Sequence, residues 1–398
     1  MVFDLLQQRL RQITGERGEI FGVKSPLRAC PLGAHGDHQG GEVTGMALDR
    51  SVALVAHPLD QPVVRMESLN FPGPIEVDLF KAPEKRGDWG DYLRAAVSVL
   101  QVDYRLDRGL SGVMRGDLVG MGLSSSAAVL VSFFLALAEV NQLDLGRTEI
   151  ARLVQRAENE FIGLSSGLLD QSVILFAEAG SLTHIDCSDF SVTQAPLPIK
   201  APDFRVLAFF SGVSRQLVGT DYNSRVDQCR QAAVWLQEAA GRPAGAECRL
   251  GDVAPGIFEN FGKDLPDPLN LRSAHFFGEV TRVREGVEAW RRGDLEAFGA
   301  LMTASGESSI VNYQCGTPPL VDLYEALRKT PGVFGTRFSG AGFGGSCLAL
   351  VEADAADAVV ERVSRDYAAA FPDLAKEALS AICRPAGPAG VVREEDFS

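Results

Sequence analysis

Glycines and serines precede an apolar segment close to residue 120. The run, residues 116–128, reads GDLVGMGLSSSAA and leads directly into helix-forming residues. Glycines let backbone N–H groups approach an anion closely, serines cap helices, and a helix N-terminus carries about half a positive charge. We therefore predict that this run, here called the phosphate loop, binds phosphate. The expected contacts are Gly120, Gly122, Leu123, Ser124, Ser125 and Ser126.

A second glycine-rich run, SGAGFGGS at residues 339–346, precedes a strand-like apolar segment. We predict that this closing loop covers the same phosphates, with Gly342 and Gly344 as contacts. No Lys-Ser or Lys-Thr pair follows the glycines of the phosphate loop, so that loop differs from a P-loop. The structural alternatives are a glycine turn before a serine-capped core helix for the first run and a glycine hairpin for the second.

Two histidines lie near the N-terminus, in the segment RACPLGAHGDHQGG at residues 28–41, here called the sugar segment. Apart from Cys30, no further histidine or cysteine lies close to His35 and His38, and the chain has no HExxH pattern. Zinc binding is therefore disfavoured.

The composition is that of a globular protein with an acidic surface. The chain has 398 residues, 46% of them apolar, and a formal charge of -14. This charge disfavours nucleic acid and anionic membranes as partners. Seven cysteines without a CxxC pair predict a reducing, cytoplasmic location. The N-terminal segment predicts an amphipathic helix, and the longest apolar run, residues 127–140, is shorter than the about 20 residues that span a bilayer.

Hydrophobic periodicity predicts a mixed α/β protein. Strands are expected at residues 51–57, 62–69, 180–187, 205–211 and 346–351, and helices at residues 91–102, 126–140 and 148–161. Three prolines in the stretch at residues 196–202 favour an extended connector, so we place a domain boundary there. Residues 241–270, rich in glycine and proline, predict an irregular excursion.

Three motifs in this order resemble those of the GHMP small-molecule kinases, and within them the galactokinase branch: the sugar segment, the phosphate loop and the closing loop. The resemblance implies an α/β (α+β) fold of two domains, residues 1–195 and 196–398, with the active site in the cleft between them. It also implies MgATP as phosphate donor, so ATP and Mg²⁺ are the expected cofactors.

The resemblance implies roles for individual residues. Asp170 would accept or orient the proton of the anomeric hydroxyl, and Arg28 would keep Asp170 ionised. Glu158 and Ser126 would bind magnesium. The expected contacts to sugar and nucleotide are Ala34, His35, Asp37, Gly167, Asp170, Tyr222 and Arg215 for the sugar and Trp89 for the nucleotide. The alternatives are solvated carboxylates, a surface ion pair for Arg215, and packing roles for the two aromatic residues.

Ala34 predicts the substrate. Galactokinases carry glutamate at this place, and the resemblance implies that this glutamate bonds to the sugar's 6-hydroxyl. At ~4 Å and an effective dielectric near 20, a glutamate and a 6-carboxylate would repel by about 4 kcal/mol. Alanine removes that repulsion, and the segments around residues 28–41, 313–316 and 332–342 resemble galacturonokinases.

We therefore predict a galacturonate 1-kinase, acting as a monomer or homodimer. The alternatives are a galactokinase or another aldose 1-kinase, and a protein that senses sugar and ATP without turnover. The cation that would face the substrate carboxylate stays open, with Arg215 and His38 as candidates.

Overall fold

The structure is a computed structural model that describes residues 2–15, 18–213, 221–340, 342 and 345–397. It confirms the mixed α/β class. Among the described helices, none combines the length and the apolar character needed to cross a membrane.

Eleven helices and twelve strands are assigned within the described residues. The helices are α1 Val2–Thr14, α2 Asp91–Asp103, α3 Ser125–Asn141, α4 Arg147–Arg156, α5 Leu169–Phe176, α6 Asp221–Ala239, α7 Pro255–Phe261, α8 Leu269–Arg291, α9 Leu295–Val311, α10 Pro318–Arg328 and α11 Ala356–Ala370. The strands are β1 Phe21–Ala29, β2 Glu42–Leu59, β3 Val63–Ser68, β4 Ile75–Asp78, β5 Gly109–Gly116, β6 Ser181–Asp186, β7 Ser191–Pro196, β8 Phe204–Phe210, β9 Val333–Phe338, β10 Ser346–Glu352, β11 Leu379–Cys383 and β12 Gly390–Arg393.

The first sheet has the strand order β12-β1-β2-β5-β3-β4, and β6 and β7 continue it from one end of β2. Only the pairing of β3 with β5 is parallel within this sheet. Strand β2 is longer than the predicted strand at residues 51–57 because its two ends have different partners. Residues Glu42–Gly45 pair with β6, whereas Val52–Leu59 pair with β5.

The second sheet has the order β11-β8-β10-β9, and both of its faces are covered. Side chains alternate along a strand, so β8 supplies two cores. Phe204, Val206 and Ala208 pack into the core shared with the first sheet. Leu207 and Phe209 pack into a second core with α10 and α11. The second sheet therefore joins the two halves of the molecule and is not a separate layer on the surface.

Two local predictions differ from the structure. The helix expected at residues 148–161 is α-helical only to Arg156 and continues as a π-helix, Ala157–Ile162. The segment at residues 241–270, expected to be irregular, contains the short helix α7 and the start of α8. In the second case Pro255 stands at the first turn of α7, where proline is tolerated because its missing N–H would have no partner there.

Trp290, at the end of α8, fills the contact between the halves. Its ring packs edge-on against Phe204 at 5.5 Å and Phe298 at 5.0 Å, and its Nε1 donates a hydrogen bond to the Ala195 carbonyl at 3.0 Å. The C-terminal strand β12 also crosses back to pair with β1. The division into residues 1–195 and 196–398 stays a prediction.

We predict that Trp290→Ala lowers the free energy of unfolding by about 3–5 kcal/mol, because it leaves a cavity in a closed core. Denaturant unfolding followed by far-UV circular dichroism would measure this. Ile199→Ala is the control, since Ile199 is fully exposed and its removal is expected to change the stability by less than about 0.5 kcal/mol. Equal stabilities of the two variants would contradict the packing role of Trp290.

Candidate active site

A cavity of about 680 Å³ is lined by residues of the N-terminal part of the chain, between 28 and 171, and of the C-terminal part, between 213 and 345. The sugar segment, the phosphate loop and the described part of the closing loop all contribute to its lining, together with residues 158–171. Segments that are distant in sequence therefore meet in one cleft.

Asp170 lies in the first turn of α5 and faces two side chains from other elements. The Arg28 Nε, at the end of β1, donates to Asp170 Oδ1 at 2.7 Å, and the Ser124 hydroxyl donates to Asp170 Oδ2. Burial lowers the pKa of Arg28, but the charge and hydrogen bond of Asp170 outweigh it and raise that pKa overall. The buried guanidinium is thus permanently charged and holds one oxygen of Asp170 in a fixed position.

The phosphate loop reaches α3 through residues in left-handed conformations. Gly120, Gly122 and Ser124 have φ values of 83°, 68° and 57°. Ser124 is the N-cap residue of α3, but its hydroxyl does not cap the helix as expected, because it donates to Asp170 instead. The free N–H groups at the start of α3 therefore remain available to an anion in the cavity.

Ser125 and Ser126 line the cavity beside Gly120 and Gly122. Leu123 differs from the other predicted contacts, because its side chain is buried in the core and its carbonyl accepts a hydrogen bond from the Arg28 N–H at 3.2 Å.

The closing loop begins and ends on the phosphate loop. The Ser339 hydroxyl donates to the Gly122 carbonyl at 2.7 Å, and the Ser346 hydroxyl donates to the Met121 carbonyl at 2.6 Å. Gly342 lines the same cavity. Gly344, the other predicted contact in this loop, lies outside the described residues.

The sugar segment presents Ala34, His35 and Asp37 to the cavity. Asp37 Oδ2 accepts a hydrogen bond from the Leu169 N–H at 3.3 Å, which brings the sugar segment against α5. Burial, and then the nearby charge of Asp170, raise the pKa of Asp37 to about 6. Gly167 allows this approach, since a Cβ at that position would lie 2.3 Å from Asp37 Oδ2.

Three histidines of this region are neutral: His38 and His275 are buried, and His35 is partly buried. Burial is the main cause that lowers the pKa of His38 to about 3, that of His275 to about 4, and that of His35 well below its usual range. His35 stacks on Tyr313 with ring centroids 3.9 Å apart. The described residues contain no cluster of histidine, cysteine and carboxylate side chains that could alone hold a metal ion. The histidines are therefore packing and hydrogen-bonding groups, with no positive charge to offer an anion.

Glu158 is a buried carboxylate within the π-helix. It accepts a hydrogen bond from the Ser166 hydroxyl at 2.6 Å and forms no ion pair with a described residue. Burial raises its pKa to about 7, with smaller contributions from the charges of Asp170 and Asp37. A buried carboxylate of this kind favours the arrival of a cation.

The remaining predicted residues fall in different places. Tyr222, on α6, lines the cavity, and its ring lies 6.4 Å from that of His35. Trp89 packs against the core, and its Nε1 donates to the Gly73 carbonyl at 3.2 Å, while its neighbours Asp88 and Tyr92 line the cavity. Arg215 lies outside the described residues.

The lining residues that were not predicted from the sequence include Ser166, the partner of Glu158, and Arg337. Arg337 stands two positions before the closing loop, but a single arginine at the end of a strand gives no signal of its own in the sequence.

Known proteins resemble this chain over most of its length. Residues 91–178 match the GHMP kinases N terminal domain, and residues 287–369 match the GHMP kinases C terminal domain. Galacturonokinase of Arabidopsis thaliana is 40% identical over 93% of this chain and 92% of its own length. Galactokinase of Exiguobacterium sibiricum is 34% identical over 91% of this chain and 93% of its own. The crystal structure of Lactococcus lactis galactokinase complexed with galactose superposes with a TM-score of 0.90 at 27% identity and covers 98% of this chain and 100% of that one.

The fold and the cleft, with its two glycine-rich loops, define a small-molecule kinase that uses ATP. The chain belongs to the GHMP kinases, within their galactokinase branch.

We predict that Gly167→Ala lowers kcat/KM for the sugar at least ~100-fold, because the new methyl group would displace Asp37 from the cavity and misplacing a substrate contact is costly. Steady-state ADP release would measure this. Gly245→Ala is the matched control, since an added Cβ there meets no atom within 4 Å and is expected to leave the rate unchanged. Full activity of Gly167→Ala would contradict the close approach.

Proposed function

We propose that this chain is an ATP-dependent sugar 1-kinase that transfers the γ-phosphate to the anomeric hydroxyl of D-galacturonic acid, giving galacturonate 1-phosphate and ADP. The observation that carries the proposal is the Arg28–Asp170 ion pair in a cleft that both glycine-rich loops reach. Phosphoryl transfer requires an oriented nucleophile and neutralised phosphate charge, and this cleft offers groups for both.

Asp170 is the group that accepts or orients the proton of the sugar's 1-hydroxyl. Its two oxygens already bind Arg28 and Ser124, so the carboxylate cannot rotate away from the incoming hydroxyl. Arg28 holds Asp170 in place through the ion pair and adds positive charge near the transferring phosphate. The start of α3 and the glycines of the phosphate loop bind the phosphates through N–H groups.

The residues of the cleft fit a magnesium ion that arrives with the nucleotide. Magnesium takes one or two protein oxygens and keeps phosphates and water for its other positions. Glu158, buried and without an ion-pair partner among the described residues, and the Ser126 hydroxyl would hold it. The ion would neutralise part of the negative charge of the phosphates.

Hydroxyl groups of the sugar bind to Asp37, His35 and Tyr222. Gly167 allows the start of α5 to pack closely against Asp37. We include Arg215 as a further contact and assign Trp89 to the border of the nucleotide site. The two halves, residues 1–195 and 196–398, provide one wall each. We place the enzyme in the cytoplasm as a monomer or homodimer, acting on small molecules without nucleic acid or membrane partners.

Ala34 favours galacturonate over galactose. Its small side chain lines the cavity and leaves no carboxylate there to repel a uronic acid. A galactokinase or another aldose 1-kinase is the second candidate, favoured by the galactose named for the Lactococcus structure with its TM-score of 0.90. A sensor without turnover is the third candidate, and the presence of Asp170, Arg28 and the glycine-rich loops argues against it.

We predict that Asp170→Asn lowers kcat by about 10²–10⁴-fold, because general base catalysis contributes that much. The measurement is ADP release with a panel of free hexoses and uronic acids, with the product identified as a 1-phosphate by ³¹P NMR. Asp60→Asn is the control, since the Asp60 side chain is 97% exposed. Binding of both ligands without turnover in the unmodified protein would favour the sensor.

We predict that Ala34→Glu lowers kcat/KM for galacturonate about 100- to 1,000-fold, because two like charges at ~4 Å repel by about 4 kcal/mol in a partly screened site. Turnover of galactose should change little or increase. The readout is the ratio of the two kcat/KM values in each variant, with Ala34→Gln as the uncharged control of similar size. An unchanged ratio would remove the charge argument.

A further inference from the structure

Arg337 is a buried arginine that joins the second sheet to the sugar segment. It lies in β9, and its side chain is 2% exposed. Its Nη1 donates to the Cys30 carbonyl at 3.1 Å, just before the residues of the sugar segment that face the cavity. Both Arg337 and Ala34 line that cavity. The guanidinium therefore lies beside the start of the sugar segment, at the edge of the cleft.

The guanidinium has unused donors. Its Nε is buried, and within the part of the chain that the structure describes neither the Nε nor the Nη2 donates a hydrogen bond. Buried polar groups are nearly always hydrogen-bonded, and an unsatisfied charged donor is costly. An unpartnered buried charge at the edge of a ligand cavity indicates that the missing partner is a ligand.

The nearby carboxylate that could have neutralised Arg337 is already occupied. Glu279 Oε1 accepts from Arg282 at 2.6 Å, and its Oε2 accepts from the N–H groups of Gly33 and Ala34 and from the Ser305 hydroxyl. Burial raises the pKa of Glu279, but the neighbouring His275 and the charges of Arg282 and Arg337 outweigh it and lower that pKa overall. Arg337 thus interacts with Glu279 electrostatically, but no hydrogen bond or ion pair joins these two described residues.

The other basic groups of the cavity lining are engaged elsewhere. Within the described residues these are Arg28, which pairs with Asp170, and Lys85, whose Nζ donates to the Ile162 carbonyl at 2.7 Å. His35 and His38 are neutral because of their burial. Among the described cations of the lining, Arg337 is the buried one without a counter-ion, since Lys85 is exposed to water.

We infer that Arg337 binds the 6-carboxylate of the sugar acid and is the residue that selects a uronic acid over the neutral hexose. The inference rests on the proposed function and names the cationic partner that the substrate needs. The Nη2 group of this guanidinium donates to no described residue and suits a carboxylate, and a charge-assisted hydrogen bond is about twice as strong as a neutral one. Ala34 lines the same cavity as Arg337, and its small side chain leaves space for the carboxylate.

The test compares galacturonate, galactose and the neutral amide of galacturonic acid as substrates of three variants. Arg337→Gln should lower kcat/KM for galacturonate ~100-fold, mainly through a higher KM, because the lost contact binds ground state and transition state alike. Turnover of galactose and of the amide should stay within about threefold. Arg337→Lys keeps the charge without the planar donors and should lose ~10-fold on galacturonate alone.

Arg272→Gln is the control for loss of a buried arginine. Arg272 is 1% exposed, like Arg337, but it does not line the cavity and bonds to Gln228, Gln314 and the Asn312 carbonyl. Its replacement should lower the melting temperature without changing the ratio of rates on the acid and the amide.

The outcomes separate the two proposals. If the unmodified protein prefers galactose, the proposed substrate is wrong and the inference falls with it. If it prefers galacturonate but Arg337→Gln affects the acid and the amide equally, the inference alone is overturned and Arg337 is structural. If Arg337→Gln does not fold, Arg337→Lys decides: selective loss on the acid supports the inference, and a parallel loss on both substrates overturns it.

Discussion

The ion pair between Arg28 and Asp170 is the interaction on which the site depends. Arg28 is buried, so its charge requires a partner, and Asp170 provides it. The same residue uses its backbone N–H to hold the Leu123 carbonyl, while Ser124 bonds to the second oxygen of Asp170. One electrostatic requirement therefore fixes β1, the start of α3 and the start of α5 relative to each other, and the phosphate loop lies between them.

The geometry of the sugar segment depends on the C-terminal half. Glu279, on α8, accepts hydrogen bonds from the N–H groups of Gly33 and Ala34, and His275 bonds to the Ala34 carbonyl at 2.9 Å. His275 and Glu279 lie in successive turns of α8 and bind the backbone groups of the sugar segment. Burial keeps His275 neutral, whereas Arg282 keeps Glu279 ionised. Ala34 is thereby held rigidly although its own side chain makes no polar contact.

Hydrophobic periodicity predicted the fold class, and glycine-rich loops ahead of apolar elements predicted the segments that meet in the cleft. Both are local patterns, which a sequence records directly. It could not predict features that depend on tertiary partners. The hydroxyl of Ser124 leaves its capping role because Asp170, distant in sequence, competes for it. The raised pKa of Glu158 and the neutrality of His38 follow from burial. Arg337 was missed because what distinguishes it is a buried Nε without a hydrogen-bond partner among the described residues. The spacing of residues in a sequence does not show this.

Specificity between an acid and a neutral sugar is a difference of two free energies, so removing a repulsive group and providing an attractive one are separate requirements. Alanine at position 34 meets only the first, because a carboxylate that loses its water also needs donors in exchange. A chain with a net charge of -14 makes this need stronger, since its overall field disfavours anions. A local cation therefore has to compensate. Arg337 can do so at little cost, because its burial and its unused donors exist before the substrate arrives, and a preorganised site spends less of its binding energy on rearrangement.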